Sequence, residues 1–575
     1  MIMRISVTKT KNFEFVYVIK DFYSHGSRTT KIVEKLGTID ELSQKMNLSR
    51  EQVISWAKDY AKKKTLDEQT ETQTVSLLCS PNALIEPDKK RMFHCGYLFL
   101  QSLYCQLKLS NVCRSIKKRH KFEFDLDAVL SDLIFTRILN PSSKASSYET
   151  AQGFLEPPKY QLHDIYRALS ILSDESDFIQ AETYKNSNFV HPRNNAILYY
   201  DCTNYFFEIE QEEGMKRYGK SKEHRPNPII QMGLFMDGDG IPLAFDLFGG
   251  NRNEQNSLKP LEQKIIQDFD FSRFVVCTDA GLASENNRFF NSFGGRSFLV
   301  TQSLKKLKKE DLESAMSGQG WKRLSDDAPV DITAVSKEDG KDVLCYKEEP
   351  YTTKKLHQRM IITFSPKYAA YQKKIREEQV NRALKMISGE KIRRTRKNPH
   401  DPARFIQRTS VTDEGETADK PVYFLDEEAI QKEARFDGYY AVCTDLMDDN
   451  VKDILKVSEG RWEIEESFRL MKSEFKSRPV YLQRDDRIKA HFLVCYLSLL
   501  FYRLIEKKLG GRYTAPAILD TLRGMKVLEL AEGYLPAYTR TAITDALHDT
   551  FGFRTDYQIT SKKKMRTIIK NTKQK

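Results

Sequence analysis

Two short apolar runs in this 575-residue chain lead into an aspartate. Ala196-Ile197-Leu198-Tyr199-Tyr200-Asp201-Cys202 and Phe274-Val275-Val276-Cys277-Thr278-Asp279 read as buried strands with a carboxylate at the C-terminal end. If the strands are neighbours, both carboxylates fall at one sheet edge. Such a pair suits a divalent metal, because Mg²⁺ prefers one or two carboxylates and keeps positions open for phosphate oxygens. Two ions about 3.5–4 Å apart can stabilise both the attacking and the leaving oxygen of a displacement. An Asp at a strand end is in general more often a turn or cap residue, so a third carboxylate has to decide.

The third candidate is Glu465, in the helix-forming stretch from Gly460 to Lys472. On a wheel of about 100° per residue, Arg461, Glu465, Phe468 and Lys472 share one face, so the carboxylate is flanked by two cations. A charged helix face is ordinarily solvated; Phe468 on the same stripe argues against full solvation.

At these residues the sequence resembles the DDE transposases of bacterial insertion sequences, in the IS-four-like group whose signature is Tyr-x2-Arg-x3-Glu-x6-Lys. Arg461, Glu465 and Lys472 match the last three signature positions; the tyrosine position, three before Arg461, is Ser458. In the family that tyrosine helps hold DNA near the active site. Tyr200-Asp201-Cys202-Thr203, Cys277-Thr278-Asp279-Ala280-Gly281, the loop Gly219 to Pro226 and Gly250-Asn251-x-x-Glu254 are also family-like. The resemblance covers about residues 196–509. It implies a multidomain α/β protein: an RNase H-like mixed-sheet core, interrupted by a mainly β insertion and preceded by a largely helical N-terminal region. The 185 residues between Asp279 and Glu465 leave room for that insertion.

The resemblance further implies that Asp201, Asp279 and Glu465 are catalytic and hold two Mg²⁺ or Mn²⁺ ions. Arg461 and Lys472, with Lys222 and Arg225, are expected on DNA. The expected partners are the double-stranded terminal repeats of a mobile element and its target DNA, bound by a homodimer. Cleavage at the element ends would be followed by attack of the 3′-OH on target DNA. The rival readings are an inactive or domesticated DNA-binding descendant, and a nuclease of the same fold without strand transfer. His224, among Lys222, Arg225 and Pro226, reads as a polar loop residue near phosphate rather than a metal ligand. Trp321 reads as core, and Trp462 is expected to pack beside the motif.

These residues need several elements to position them. Apolar residues make 40% of the chain and the 33 Phe and 27 Tyr supply packed cores, which excludes wholesale disorder. The 92 Lys and Arg against 80 Asp and Glu leave +12, an excess that favours a polyanionic partner. The nine cysteines form no C-x-x-C pair, which fits a reduced cytosolic chain and not a zinc site. Nothing at the start marks it for export. The most apolar run, Phe492 to Tyr502, is shorter than the roughly 20 residues needed to span a bilayer. A bacterial cytoplasmic, nucleoid-associated protein is the expectation.

Along the chain the pattern predicts a small β/α module at 1–63, with three strands and then helix from Thr38, and a polar linker at Thr65 to Thr74. Residues 64–190 form the helical region expected to bind the element ends. Residues 191–304 and 437–510 are the two parts of the core, with a hairpin at Asp237-Gly238-Asp239-Gly240. The second part holds one helical stretch from about Ile454 to Lys476 and another from Arg487 to Lys508. The latter is apolar around much of its circumference, so it is either buried on all sides or pairs with a second chain. Residues 305–436 are a basic, partly β insertion with cation clusters at Lys305 to Lys309 and Lys391 to Lys397. Residues 511–575 are a helical region with a basic tail, Lys562 to Lys575, expected not to pack and free to reach DNA.

Overall fold

The computed structural model describes residues 3–10, 13–24, 27–72, 82, 84–269, 271–336, 342–389, 401–411 and 417–574. The cation cluster at 391–397 lies outside them. The chain forms two compact units, residues 1–89 with 530–534, and residues 90–529 with 535–575.

In the first unit, strands β1 (Met3–Lys9), β2 (Glu14–Ser24) and β3 (Ser27–Thr38) make an antiparallel meander in chain order. Thr38 caps the helix Ile39–Met46 through a reciprocal pair of bonds with Glu41. Val16, Ile39, Leu42, Val53 and Ala57 form the core. The second helix, Arg50–Thr72, runs through most of the expected linker. It continues because that stretch, although polar, contains no Pro or Gly to stop a helix, and because buried Thr65 accepts the Met3 amide at 2.9 Å.

The second unit begins with six helices between Tyr97 and Ser187, as the apolar spacing predicts, preceded by the short strand β4 (Met92–His94). The expected strands then appear as β5 (Ile197–Phe206), β6 (Ile229–Asp237), β7 (Pro242–Gly249), β8 (Phe274–Thr278) and β9 (Arg296–Thr301). They stand in the order β7-β6-β5-β8-β9, with β5–β8 and β8–β9 parallel and the hairpin β6–β7 antiparallel. The hairpin corner is held by Asp237, which accepts from the Asp239 and Ile241 amides and is ion-paired to Arg193 with both side chains fully buried.

The segment 305–436 is not a separate β body. Its strands β10 (Lys322–Arg323), β11 (Cys345–Thr352) and β12 (His357–Phe364) join the same sheet through β15 (Tyr439–Thr444), extending it antiparallel beyond β9 to nine strands. Among the described residues of this segment, β13 (Ile406–Val411) and β14 (Thr417–Leu425) pair apart from it. The expectation of a mainly β insertion is also corrected by a 23-residue helix, Pro366–Ser388. Ser365 caps it, Pro366 sits at its first turn, and the run of Lys, Arg, Glu, Gln and Ala favours it.

The helix Asp485–Lys508 is the axis of the unit. By length and composition it could cross a bilayer, yet nearly all of it is packed inside the protein. It touches helices Leu126–Leu139, Leu162–Asp174 and Trp462–Ser473 and strand β7, and Tyr496 donates to the Leu243 carbonyl at 2.7 Å. Of the two readings left by its apolar circumference, burial within one chain is the one observed. The C-terminal segment corrects another expectation. Residues Lys562–Thr572 are a helix that buries Met565, Ile568 and Thr572 on one face, and Lys573 pairs with Glu156 at 2.8 Å.

Arg503 of the axial helix fixes the helix Trp462–Ser473 that carries Glu465. Its side chain is 2% exposed and reaches Glu466 and Glu506, each at 2.8 Å, the Ser467 hydroxyl at 2.9 Å and the Glu463 carbonyl at 3.2 Å. Removing one partner of such a buried network leaves uncompensated charge. Arg503→Met is therefore expected to lower unfolding stability by about 3 kcal/mol in urea titrations. A loss below about 1 kcal/mol would show that apolar contacts of Ile464 and Phe468 dock this helix on their own.

Candidate active site

The parallel register of β5 and β8 pairs Ile197 with Val275, Leu198 with Val276 and Tyr199 with Cys277. Two residues beyond the last pair, Asp201 on β5 and Asp279, the first residue after β8, come to the same level, and the Asp279 charge acts on Asp201. The sequence suggested that both aspartates end their strands, but only Asp279 does: β5 runs on to Phe206 because β6 continues to pair with it, up to Phe206 with Ile229. Asp201 thus lies mid-strand, at the level where its other neighbour stops.

Asp201 Oδ1 accepts the Cys202 amide at 2.7 Å. Asp279 Oδ1 accepts the Gly281 and Leu282 amides, both at 3.0 Å, which folds the following loop back on the carboxylate. Burial pushes the Asp201 carboxyl from 3.8 up to about 6, and the Asp279 charge adds to the rise, while Lys222, the Cys202 amide and Arg461 oppose it.

The helical stretch before Glu465 is broken into Val451–Glu459 and Trp462–Ser473. At the break, Gly460 lies so close to Tyr199 that a Cβ there would come within 2.2 Å of the phenol oxygen, and Tyr199 donates to the Val457 carbonyl at 3.0 Å. The junction is therefore seated on β5 two residues before Asp201. Beyond it, Arg461 Nη2 is 3.8 Å from Glu465, and the Arg461 charge also acts on Asp201. Glu465 is 65% exposed. Among the described residues, no three His, Cys, Asp or Glu side chains stand close enough to hold a metal ion. The structure brings Asp201 and Asp279 together and leaves Glu465 outside the pair, with Arg461 as the link.

Glu465 and Lys472 open onto a concavity of about 420 Å³ with Phe468, Arg469, Ser473 and Arg478. Lys472 donates to Thr203 of β5 at 2.9 Å and lies 3.5 Å from Glu223, and burial pushes its ammonium below the usual lysine range. Arg478 also pairs with Glu223. Arg225 and Arg478 lie over the Phe206 ring at 4.9 and 5.4 Å. Lys222 is not a remote surface cation: it donates to the Cys202 carbonyl, and its charge acts on both aspartates. Phe468 is buried, as its place on the stripe suggests, and Trp321 is core. Trp462, expected to pack, is 56% exposed, because Ile464, Phe468 and Met471 form the buried side of its helix.

Two residues with no role assigned from sequence also belong here. Tyr440 of β15 brings its hydroxyl 2.8 Å from Thr301 and 3.3 Å from Ser458, so a phenol reaches the serine from another strand. Since Thr278 pairs with Val300, Thr301 is level with Asp279. Glu254 lies 3.7 Å from Lys222; the block Gly250-Asn251-x-x-Glu254 marked its neighbourhood, but nothing local marked Tyr440.

The family model described as Transposase DDE domain matches residues 205–501, just over half of the chain. The chain belongs to the DDE transposases. The match contains Asp279, Glu465, Arg461, Lys472, Lys222 and Glu254, and it opens four residues after Asp201. A solved piggyBac transposase, in a synaptic complex with hairpin DNA, aligns over 83% of this chain and 84% of its own at 9% identity and a TM-score of 0.33. No curated protein matches the sequence.

The aspartate pair makes a stability prediction. Because the folded Asp201 carboxyl titrates above 3.8, its ionisation weakens the fold. The penalty is absent below about pH 4, grows as pH rises toward about 6 and is complete above, at most about 3 kcal/mol. Asp201→Asn, compared with wild type in metal-free buffer by urea unfolding, is expected to be more stable at pH 8 and indistinguishable at pH 4. Equal stability at both values would show that the carboxylate is fully compensated by its cations.

Proposed function

We propose that this transposase acts on a bacterial insertion sequence of the IS-four-like superfamily, binding the terminal repeats, cleaving the DNA at the element ends and joining the 3′-OH ends to target DNA. The carrying observation is that Asp201 on β5 and Asp279, just past the end of the parallel neighbour β8, stand at one level of the sheet and act on each other's charge. The order β7-β6-β5-β8-β9, with the first core strand β5 in the middle, supports reading the core as RNase H-like. Helices within 64–190 would recognise the element ends, two copies would hold two ends together in the DNA complex, and the setting would be the bacterial cytoplasm.

The donor set fits Mg²⁺ or Mn²⁺. The oxygens are hard carboxylate ligands, and one is buried beside the other, so positive charge is needed there. Asp201 and Asp279 would hold the ions, and Glu465 would complete the set once its exposed side chain turns from Arg461 toward them. Bound there, the ions supply Lewis acidity to a water or 3′-OH and to the scissile phosphate. The rest falls to the chain. Arg461, released by Glu465, would meet phosphate oxygens as charge develops. Lys472, fixed by Thr203 at the level of β5, would orient the strand. Arg225 and Arg478, held over Phe206, offer flat guanidinium groups to the backbone beyond.

Asp201→Ala, Asp279→Ala and Glu465→Ala are each expected to reduce cleavage of a labelled duplex carrying the element's end by at least about 10³-fold. Binding of the same duplex should stay within about threefold, since affinity resides in phosphate contacts elsewhere. Undiminished cleavage by any of the three would remove that residue from the reaction.

A further inference from the structure

The loop that carries Lys222 is bolted to the strand that carries Asp201. Asn204 of β5 accepts the Lys222 amide and donates to the Lys220 carbonyl, both at 3.1 Å. From this anchorage the Lys222 ammonium reaches the carbonyl of Cys202, the residue after Asp201. Of the opposite charges acting on Asp201, that of Lys222 is the strongest, and it acts on Asp279 as well. The ammonium is also 3.7 Å from Glu254.

Glu254 is equally fixed. Ser257, three residues on, accepts or donates at 2.7 Å with Tyr200 and at 3.0 Å with Cys202, tying the turn to β5. Gln255 donates to the Gly281 carbonyl at 3.2 Å, and Asn287 donates to the Gln255 carbonyl at 3.0 Å, tying it to the loop after Asp279. One ammonium on a four-carbon stem thus stands 3.7 Å from Glu254, on the Cys202 carbonyl, and in the field of Asp201 and Asp279. Arg461, the other cation acting on Asp201, has its own partner in Glu465.

We propose that Lys222 is a built-in counter-ion of the Asp201–Asp279 pair that competes with divalent metal, and that Glu254 is the seat to which its ammonium withdraws when metal binds. The inference rests on the reading of that pair as a metal site. It gives Lys222 a task before DNA arrives: it holds together two carboxylates that would otherwise repel. Glu254 then lowers the cost of displacing it, since the ammonium closes on a carboxylate already 3.7 Å away instead of being left beside like charge.

Mn²⁺ binding to the DNA-free full chain, followed by calorimetry and by electron paramagnetic resonance, tests this without any activity assay. Lys222→Met is expected to bind Mn²⁺ about tenfold more tightly than wild type, and to melt at lower temperature in chelator with recovery on adding Mn²⁺. Glu254→Gln should weaken Mn²⁺ binding about fivefold when Lys222 is present and less than twofold in the Lys222→Met background. Lys222→Gln serves in the same way if the Met variant does not fold. Unchanged or weaker Mn²⁺ binding in the Lys222 variants, or a Glu254 effect of the same size in both backgrounds, would overturn the proposal. Asp201→Asn separates the two levels: if it binds Mn²⁺ as tightly as wild type, the metal-site reading fails and the proposal with it. If it loses Mn²⁺ while the Lys222 variants match wild type, only the counter-ion proposal fails.

Discussion

A carboxylate withdrawn from water next to a second carboxylate is a repulsive arrangement, which a fold keeps only by supplying or recruiting positive charge. Asp201 and Asp279 are such a pair, and much of the surrounding structure answers to it. The parallel pairing of β5 with β8, which runs to Tyr199 opposite Cys277, brings Asp201 and the first residue after β8, Asp279, to one level of the sheet. Lys222 and Arg461 then arrive from two directions, one on a loop tied to β5 through Asn204, the other at the start of a helix seated on β5 through Tyr199. The site is assembled around one strand, and each cation is placed relative to that strand.

The glutamate helix shows the same economy at longer range. Its N-terminal junction rests on Tyr199 of β5, and its back is pinned by the buried guanidinium of Arg503 from the axial helix. Sheet and helical layer are thereby coupled at the element that carries Arg461, Glu465 and Lys472. The backbone there is fixed while the Glu465 side chain, 3.8 Å from Arg461, is 65% exposed, so the turn proposed for it is a side-chain rotation that leaves the helix intact. The sheet reaches outward as well: β15 joins β9 on one side and β12 on the other, so the segment between Asp279 and Glu465 is continuous with the core.

What was legible in the sequence was whatever local pattern dictates. Apolar runs leading into Asp, the Asp-Gly corner at 237–240, the capping Thr38 and the Arg461–Glu465–Lys472 stripe all appear where spacing placed them, because each depends on neighbours within a few residues. The misplaced features depend on distant partners. β5 runs past Asp201 because β6 holds it, the second helix continues through Thr65 where that side chain takes the Met3 amide, and β12, with β11 beside it, joins the core sheet because β15 offers an edge. The C-terminal helix was hidden by its lysines, although Met565, Ile568 and Thr572 carry the spacing of a buried face. Glu254 and Tyr440 come from other parts of the chain, and only the folded sheet shows that they stand beside Lys222 and Ser458.

The chain carries an excess of +12, yet the cations near the site are held by carboxylates. Around β5 nearly every cation is already matched: Lys222 with Glu254, Arg461 with Glu465, and Lys472 and Arg478 with Glu223. Matched pairs at partial exposure contribute little to stability, so exchanging a carboxylate partner for a phosphate oxygen costs little. Under the proposed function, a DNA strand entering the concavity beside Glu465 would take Arg461, Lys472 and Arg478 from their glutamates. The carboxylates so released carry negative charge beside two aspartates, which raises the pull of the site on a divalent cation. If the proposed function holds, backbone binding and metal binding would favour each other through these shared charges.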